Sequence, residues 1–275
     1  MDGTNINGLK IEIRDKFNDT ISEITGNDTV SIVYAQSYKA GDKICFANSS
    51  ENKYLIIKID DELDEALIYL TSNTLEFQIP FGEDAKAYSE NTFKGIEHNI
   101  SVRVAKNEEI YLYRDIAKNV IDQRGDTTYY PHSTANVETR NEAVFAARNV
   151  IDGQISNKGH GIWPYESWGT WQREDAQITV NFGREVEVDK IALYLRADFP
   201  HDTYWKSLKI EFSDGTSKIV ETIKTSDAQY IRFNKKTIRW IKLLDFRKSD
   251  ELTDFAALTE ICVYGNDIQQ RQRRL

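Results

Sequence analysis

The strongest constraint on this chain is the rhythm of its apolar residues. Short runs alternate apolar with polar, and turn-forming residues separate one run from the next. A period of two sends successive side chains to opposite faces of an extended strand, which is the pattern of a half-buried sheet. In the first half, strands are expected near Lys10–Arg14, Val30–Gln36, Lys43–Ala47, Tyr54–Ile59, Ala66–Leu70, Leu75–Ile79, Ile96–Val104 and Glu109–Tyr113. Gly26-Asn27-Asp28, Ala40-Gly41-Asp42, Asn48-Ser49-Ser50 and Pro80-Phe81-Gly82 supply turns between them. In the second half, strands are expected at Ile178–Phe182, Lys190–Arg196, Leu208–Phe212, Lys218–Thr222, Tyr230–Phe233, Ile238–Phe246 and Leu258–Tyr264, with a hairpin turn at Phe212-Ser213-Asp214-Gly215. One helical signal interrupts this pattern: Ala143, Ala146, Ala147 and Val150 fall at helical spacing. The expected fold class is all-β, with two β-sandwich (jelly-roll) domains.

A length of 275 residues suits two ordinary domains. Their expected bounds are 1–121 and 128–267, with Asp122 to Pro131 (DQRGDTTYYP) as the linker and QQRQRRL as a solvated tail. Arg124-Gly125-Asp126 in that linker reads as a chance tripeptide. The net charge of −9 repels phosphate backbones, so nucleic acid is not an expected partner. No apolar stretch is long enough to span a bilayer. The first residues lack a signal peptide, which places the chain as written in the cytoplasm; a secreted protein whose leader had been removed would begin in the same way. Cys45 and Cys262 each sit in an apolar run and read as buried free thiols.

Motifs of known enzyme chemistry are missing. None of the four histidines stands in an HExxH, and no nucleophile elbow, P-loop or dinucleotide fingerprint occurs. All five tryptophans lie in the second half. Trp240 sits inside an apolar run and is expected in the core. The other four fall in loops or at strand ends, where a tryptophan buries apolar area only if something covers it.

Two loops collect the residues that a sugar requires. A sugar offers hydroxyl groups and one apolar face, so a good site combines an aromatic platform with charged or planar hydrogen-bonding partners. The stretch GHGIWPYESWGTWQRED supplies His160, Trp163, Tyr165, Glu166, Trp168, Trp171 and Arg173. The stretch RADFPHDTYW supplies Arg196, Asp198, His201, Asp202, Tyr204 and Trp205. His160 and His201 read as hydrogen-bond partners, and Arg196 with Asp198 could instead form a structural pair.

The run NVIDG, a tryptophan-bearing loop, QITVNFGREVEVDKIALY and the closing LTEICVYG together resemble the discoidin, or coagulation-factor type C, superfamily. Within it they are similar to family-32 carbohydrate-binding modules. The resemblance covers about residues 128–267. It implies an eight-stranded jelly roll that binds a ligand at one loop-bearing end. It also implies a structural calcium ion at Asp152, Ser156, Asn157 and Glu260, where a buried glutamate in an apolar strand needs a partner.

The expected function is non-catalytic recognition of a carbohydrate, with tandem domains or oligomers raising avidity. Two rivals remain open: a hydrolase acting on glycans at the domain interface, favoured if acidic residues of both halves converge on one cleft, and an accessory protein that binds another protein through its loop aromatics. The first half carries no motif with a nameable role.

Overall fold

The computed structural model describes residues 8–49 and 53–268. The basic tail and Ser50 of the third expected turn lie outside them. Nine strands occupy the first part: β1 (Leu9–Arg14), β2 (Thr20–Gly26), β3 (Thr29–Tyr34), β4 (Lys43–Asn48), β5 (Tyr54–Lys58), β6 (Ala66–Leu70), β7 (Thr74–Gln78), β8 (His98–Val104) and β9 (Arg114–Asp115). The chain continues through β10 (Tyr129–Tyr130), β11 (His132–Ala135), β12 (Trp168–Gly169), β13 (Ile178–Leu195), β14 (Trp205–Phe212), β15 (Ser217–Glu221), β16 (Gln229–Lys248) and β17 (Ala257–Asp267).

Two antiparallel sheets form the first sandwich, in the orders β2-β1-β4-β7 and β10-β6-β5-β8-β3. Their inner faces bury Leu9, Ile11, Ile44, Phe46, Ile57 and Phe77 in one core. The inward residues are those that the two-residue period selects; β7, for instance, buries Leu75 and Phe77 and exposes Thr74, Glu76 and Gln78. β2 escapes sequence reading because it is exposed along nearly its whole length and so has no buried face to mark it.

The second sandwich is one large sheet in the order β12-β17-β13-β16-β14-β15, with β11 on β13 and β9 on β17. Strands expected as separate pairs are continuous here. β13 has 18 residues and β16 has 20. The register between them shifts from Asn181 to Val186. Gly183 sits at that bend with φ +69°, a conformation that L side chains rarely adopt. Phe182, Phe212, Trp168 and Trp205 fill the core.

Four local expectations are corrected. Glu109–Tyr113 is no strand; a helical turn at Asn107–Ile110 stands there, with Glu109 accepting from the Lys106 backbone N–H. The helix expected over 143–150 is broken into short 3-10 turns, because Ala146 takes an extended conformation between Ala143–Phe145 and Ala147–Val150. Trp240 is only half-buried, with the Lys242 ammonium 5.7 Å from its ring centroid.

The segment expected as a free linker is packed. Asp122 is fully buried, and its carboxylate takes the His132 ring at 2.6 Å and the backbone N–H and hydroxyl of Ser133. Chain crossing explains the packing. β9 already pairs with β17 of the second sandwich, whereas β10, farther along, pairs back with β6 of the first.

Candidate functional site

The loops that leave β13 and β16 meet at one end of the second sandwich. Three rings stack there in parallel. His160 and His201 have centroids 4.2 Å apart at 5°, and His201 and Phe255 5.0 Å apart at 3°. The stack is fixed from below. Arg196 and Asp202 are both buried and form a bidentate pair at 2.9 and 2.6 Å. Asp202 also accepts from the Asp198 backbone N–H and meets the His201 ring at 3.1 Å, while Asp198 meets the His160 ring at 2.5 Å.

Opposite the stack stands Trp171, which is 61% exposed. Its backbone lies in the left-handed region at φ 47°, as does that of Gln172 at 58°. Holding two non-glycine residues there costs on the order of 1–3 kcal/mol each. The Thr139 hydroxyl accepts from the Trp171 N–H at 3.0 Å and helps to hold the turn. A cavity of about 290 Å³ lies between, lined also by Arg140, Phe145 and Asp254. It offers a ring platform, imidazole nitrogens and a carboxylate, which suits a small polar ligand with one apolar face.

The expected site residues divide into three groups. His160, Trp171, Arg196 and His201 line this cleft, and Asp198 and Asp202 support its floor. Trp163 and Tyr165 face elsewhere: Trp163 lines a cavity with Lys86 and Tyr88 of the first sandwich, its backbone N–H donating to the Lys86 carbonyl, and Tyr165 packs over Gly159. Arg173 turns outward to an exposed pair with Asp175. Trp168 and Trp205 are corrections, because they are core residues at 0% and 4% exposure. The Trp168 indole N–H donates to the Val137 carbonyl, and Trp205 packs on Phe246 at 4.5 Å. Neither can stack on a sugar. The structural pair of Arg196 is Asp202, not Asp198. Phe255, Phe145 and Arg140 complete the cleft and were not legible, since no loop in sequence links them to the two aromatic-bearing stretches.

His160, Asp198 and His201 bring ligand-type atoms within 4.8 Å of one another. The two imidazole planes are parallel, however, so their in-plane lone pairs run side by side and do not converge on one ion.

A second cluster lies at the seam of the sandwiches. Asp152 and Glu166 line a small cavity there, and Glu260 lies beside the adjoining turn, where the Gly153 N–H reaches it. Glu260 is fully buried; one of its oxygens accepts from the Gly153 N–H, and the other has no partner. Both oxygens of Glu166 are buried without a partner. Burial, then the neighbouring negative charge, pushes Glu166 up to about 8 and Glu260 well above the usual carboxylate range. Burial raises Asp152 to about 6 despite the Arg148 guanidinium 3.7 Å away. Of the expected calcium residues, Asp152 and Glu260 meet in this group and Ser156 is half-buried in the adjoining loop. Asn157 is buried, and its side-chain NH2 donates to the Leu195 and Ser226 carbonyls. Glu166, expected beside the sugar, belongs here instead.

Residues 131–260 match the family model described as the F5/8 type C domain. No curated protein matches the chain. Solved structures that resemble it include chitosan-binding module 1 of a chitosanase/glucanase from Paenibacillus sp. IK-5, at 22% identity and TM-score 0.38, covering 55% of this chain and 98% of that one. A family 32 module from C. perfringens in complex with galactose shows 20% identity and TM-score 0.35, covering 48% and 91%. A Streptococcus pneumoniae fucose binding module shows 15% identity and TM-score 0.40, covering 59% and 100%.

Proposed function

We propose that this chain, whose residues 131–260 form an F5/8 type C domain, is a non-catalytic carbohydrate-binding protein that holds a sugar between Trp171 and the His160–His201–Phe255 stack. The domain family supplies a scaffold and does not by itself fix the ligand. The observation that carries the reading is the exposed Trp171, set on a left-handed turn across a cavity from three parallel rings. Trp171 offers a stacking face for the sugar's C–H surface. The outer nitrogens of the histidines and the Asp254 carboxylate supply hydrogen bonds to hydroxyls. Affinity for one sugar unit is weak, because few atoms are buried.

A glycan-array screen of the intact chain, followed by titration of the best hit, tests this. Trp171→Ala is expected to lose about 2 kcal/mol of binding, roughly thirtyfold, with the unfolding midpoint unchanged. Unaltered affinity in that variant would move the site away from this cleft.

Calcium is proposed as a structural ion at Asp152, Glu166 and Glu260. Three buried oxygens without partners support it, since a hard cation takes six to eight oxygens and would neutralise the crowded charge. Bound there, the ion would fix the loop 152–157 against β17. Calcium at a hundred times its Kd is expected to add about 2.7 kcal/mol of stability, read as a rise in Tm over the chelated protein. Glu166→Gln is expected to cut that rise. Equal Tm values with calcium and with chelator would remove the ion from the assignment.

Acidic residues of both halves do converge at this seam, where Glu62 and Asp64 join Asp152 and Glu166. That convergence favours a hydrolase only if a glycan fits. The cavity measures about 140 Å³, below the roughly 300 Å³ at which small-molecule sites begin. Its size suits an ion better. Chromogenic glycosides check this directly: turnover lost in Glu166→Gln would establish the enzyme reading.

A further inference from the structure

A second cleft opens at the seam, between the helical turn Asn107–Ile110 and β5 and β6 of the first sandwich and the bend of β13 in the second. It measures about 550 Å³, within the usual range for small-ligand sites. Its basic side chains, Lys53, Arg184 and Arg239, outnumber the single acidic one, Glu185. In a chain of net charge −9 that local excess is a departure.

The floor is rigid. Arg184 is buried and lies over the Tyr54 and Tyr69 rings at 5.5 and 5.4 Å, and its guanidinium is fully engaged with Asp267 and the Phe182 carbonyl. The Tyr54 hydroxyl also donates to Asp267, at 2.8 Å. These groups are satisfied and form a fixed wall.

The groups left over face the opening. Among the described residues, no carboxylate pairs with Lys53, and the hydroxyls of Tyr69 and Tyr111 make no protein hydrogen bond. Arg239 reaches Glu185 only at 3.3 Å, and both are exposed, so that pair is readily exchanged for a ligand. A cleft with tyrosine walls, free hydroxyls and two available cations matches a pyranose that carries a carboxylate. The rings meet its C–H face, the hydroxyls meet its hydroxyls, and Lys53 and Arg239 meet the anion.

We propose that the interdomain cleft between Lys53, Tyr69, Tyr111 and Arg239 is a second sugar site, selective for an acidic monosaccharide unit such as a uronic or sialic acid. It is independent of the Trp171 cleft and belongs to the seam, so both sandwiches are needed to form it.

Titration calorimetry on the full chain tests the assignment, with the methyl glycosides of glucuronic acid and N-acetylneuraminic acid, methyl glucoside and inorganic phosphate as probes. At least one acidic glycoside is expected to bind about tenfold or more tightly than the glucoside, as one charge-assisted contact allows. Phosphate is expected not to displace it at equal concentration. The double variant Lys53→Glu, Arg239→Glu is expected to abolish that binding, and Trp171→Ala to leave it intact. Failure of both acidic glycosides to bind, equal binding of the neutral one, or full competition by phosphate would overturn the proposal. So would loss in Trp171→Ala with retention in the double variant, which would assign the acidic sugar to the other cleft.

Discussion

Trp168→Ala is expected to lower stability by about 3–5 kcal/mol, the range for removing a large aromatic side chain from a core. The residue is fully buried and belongs to the core of the second sandwich. Its ring lies 5.5 Å from Phe246 and 6.4 Å from Trp205, so truncation leaves a void that two other aromatics border. It also removes the donor that meets the Val137 carbonyl at 2.8 Å. The tryptophan's short strand β12 is paired with the long β17, itself paired along its length with β13, so the core cannot collapse to fill the gap without moving β17. Urea unfolding followed by tryptophan fluorescence and by far-UV circular dichroism measures the loss. Trp168→Phe separates the two contributions, keeping most of the packing while leaving the Val137 carbonyl unpaired, at a cost of about 1–3 kcal/mol. A midpoint for Trp168→Ala close to that of the parent would return this tryptophan to the ligand-binding candidates.

The same residue shows why some of the site was legible in sequence and some was not. The two-residue alternation carried most strands, because one-sided burial writes itself directly into the order of residues. It failed at β2, which buries no face, and at Glu109–Tyr113, where a side-chain cap closes a helical turn. Loop aromatics carry no such periodic mark. Trp163, Trp168 and Trp171 lie within a few residues of one another, yet the first touches the other sandwich, the second is core, and the third faces solvent across the cleft. Only three-dimensional crossing of the chain separates them. The carboxylates divide similarly: Asp198 and Asp202 support the histidine stack, whereas Glu166 turns away to join Asp152 and Glu260. The resemblance named Asp152 and Glu260 together, and the Gly153 N–H beside Asp152 does meet the Glu260 carboxylate. It offered no guide to Glu166, which was read with the aromatic residues around it.

Asp267→Ala is expected to cost about 3–5 kcal/mol, the penalty for orphaning a buried charge. The carboxylate is 1% exposed and gathers three segments. Arg184 binds it through two nitrogens at 2.6 and 3.0 Å, Arg114 through one at 3.0 Å, and the Tyr54 hydroxyl at 2.8 Å. Tyr54 belongs to the first sandwich and the arginines to strands of the second sheet or its edge, so the aspartate ties the seam. Burial by itself would push its pKa up, but the Arg184 hydrogen bonds and the charges of Arg184 and Arg114 outweigh that and hold it below the usual value. A folded-state pKa below the unfolded one means that the stabilisation is present above the unfolded value, near 3.9, and is lost as pH falls through the lower folded value. The gap between parent and Asp267→Ala should therefore be full at neutral pH and narrow below about pH 4. Tyr54→Phe removes only the tie to the first sandwich and is expected to cost about 0.5–1.5 kcal/mol. Urea unfolding of both variants at neutral and acid pH distinguishes the contributions. If Asp267→Ala costs no more than Tyr54→Phe, Arg184 is finding water in the variant, and the seam is held by apolar packing and not by this charge network.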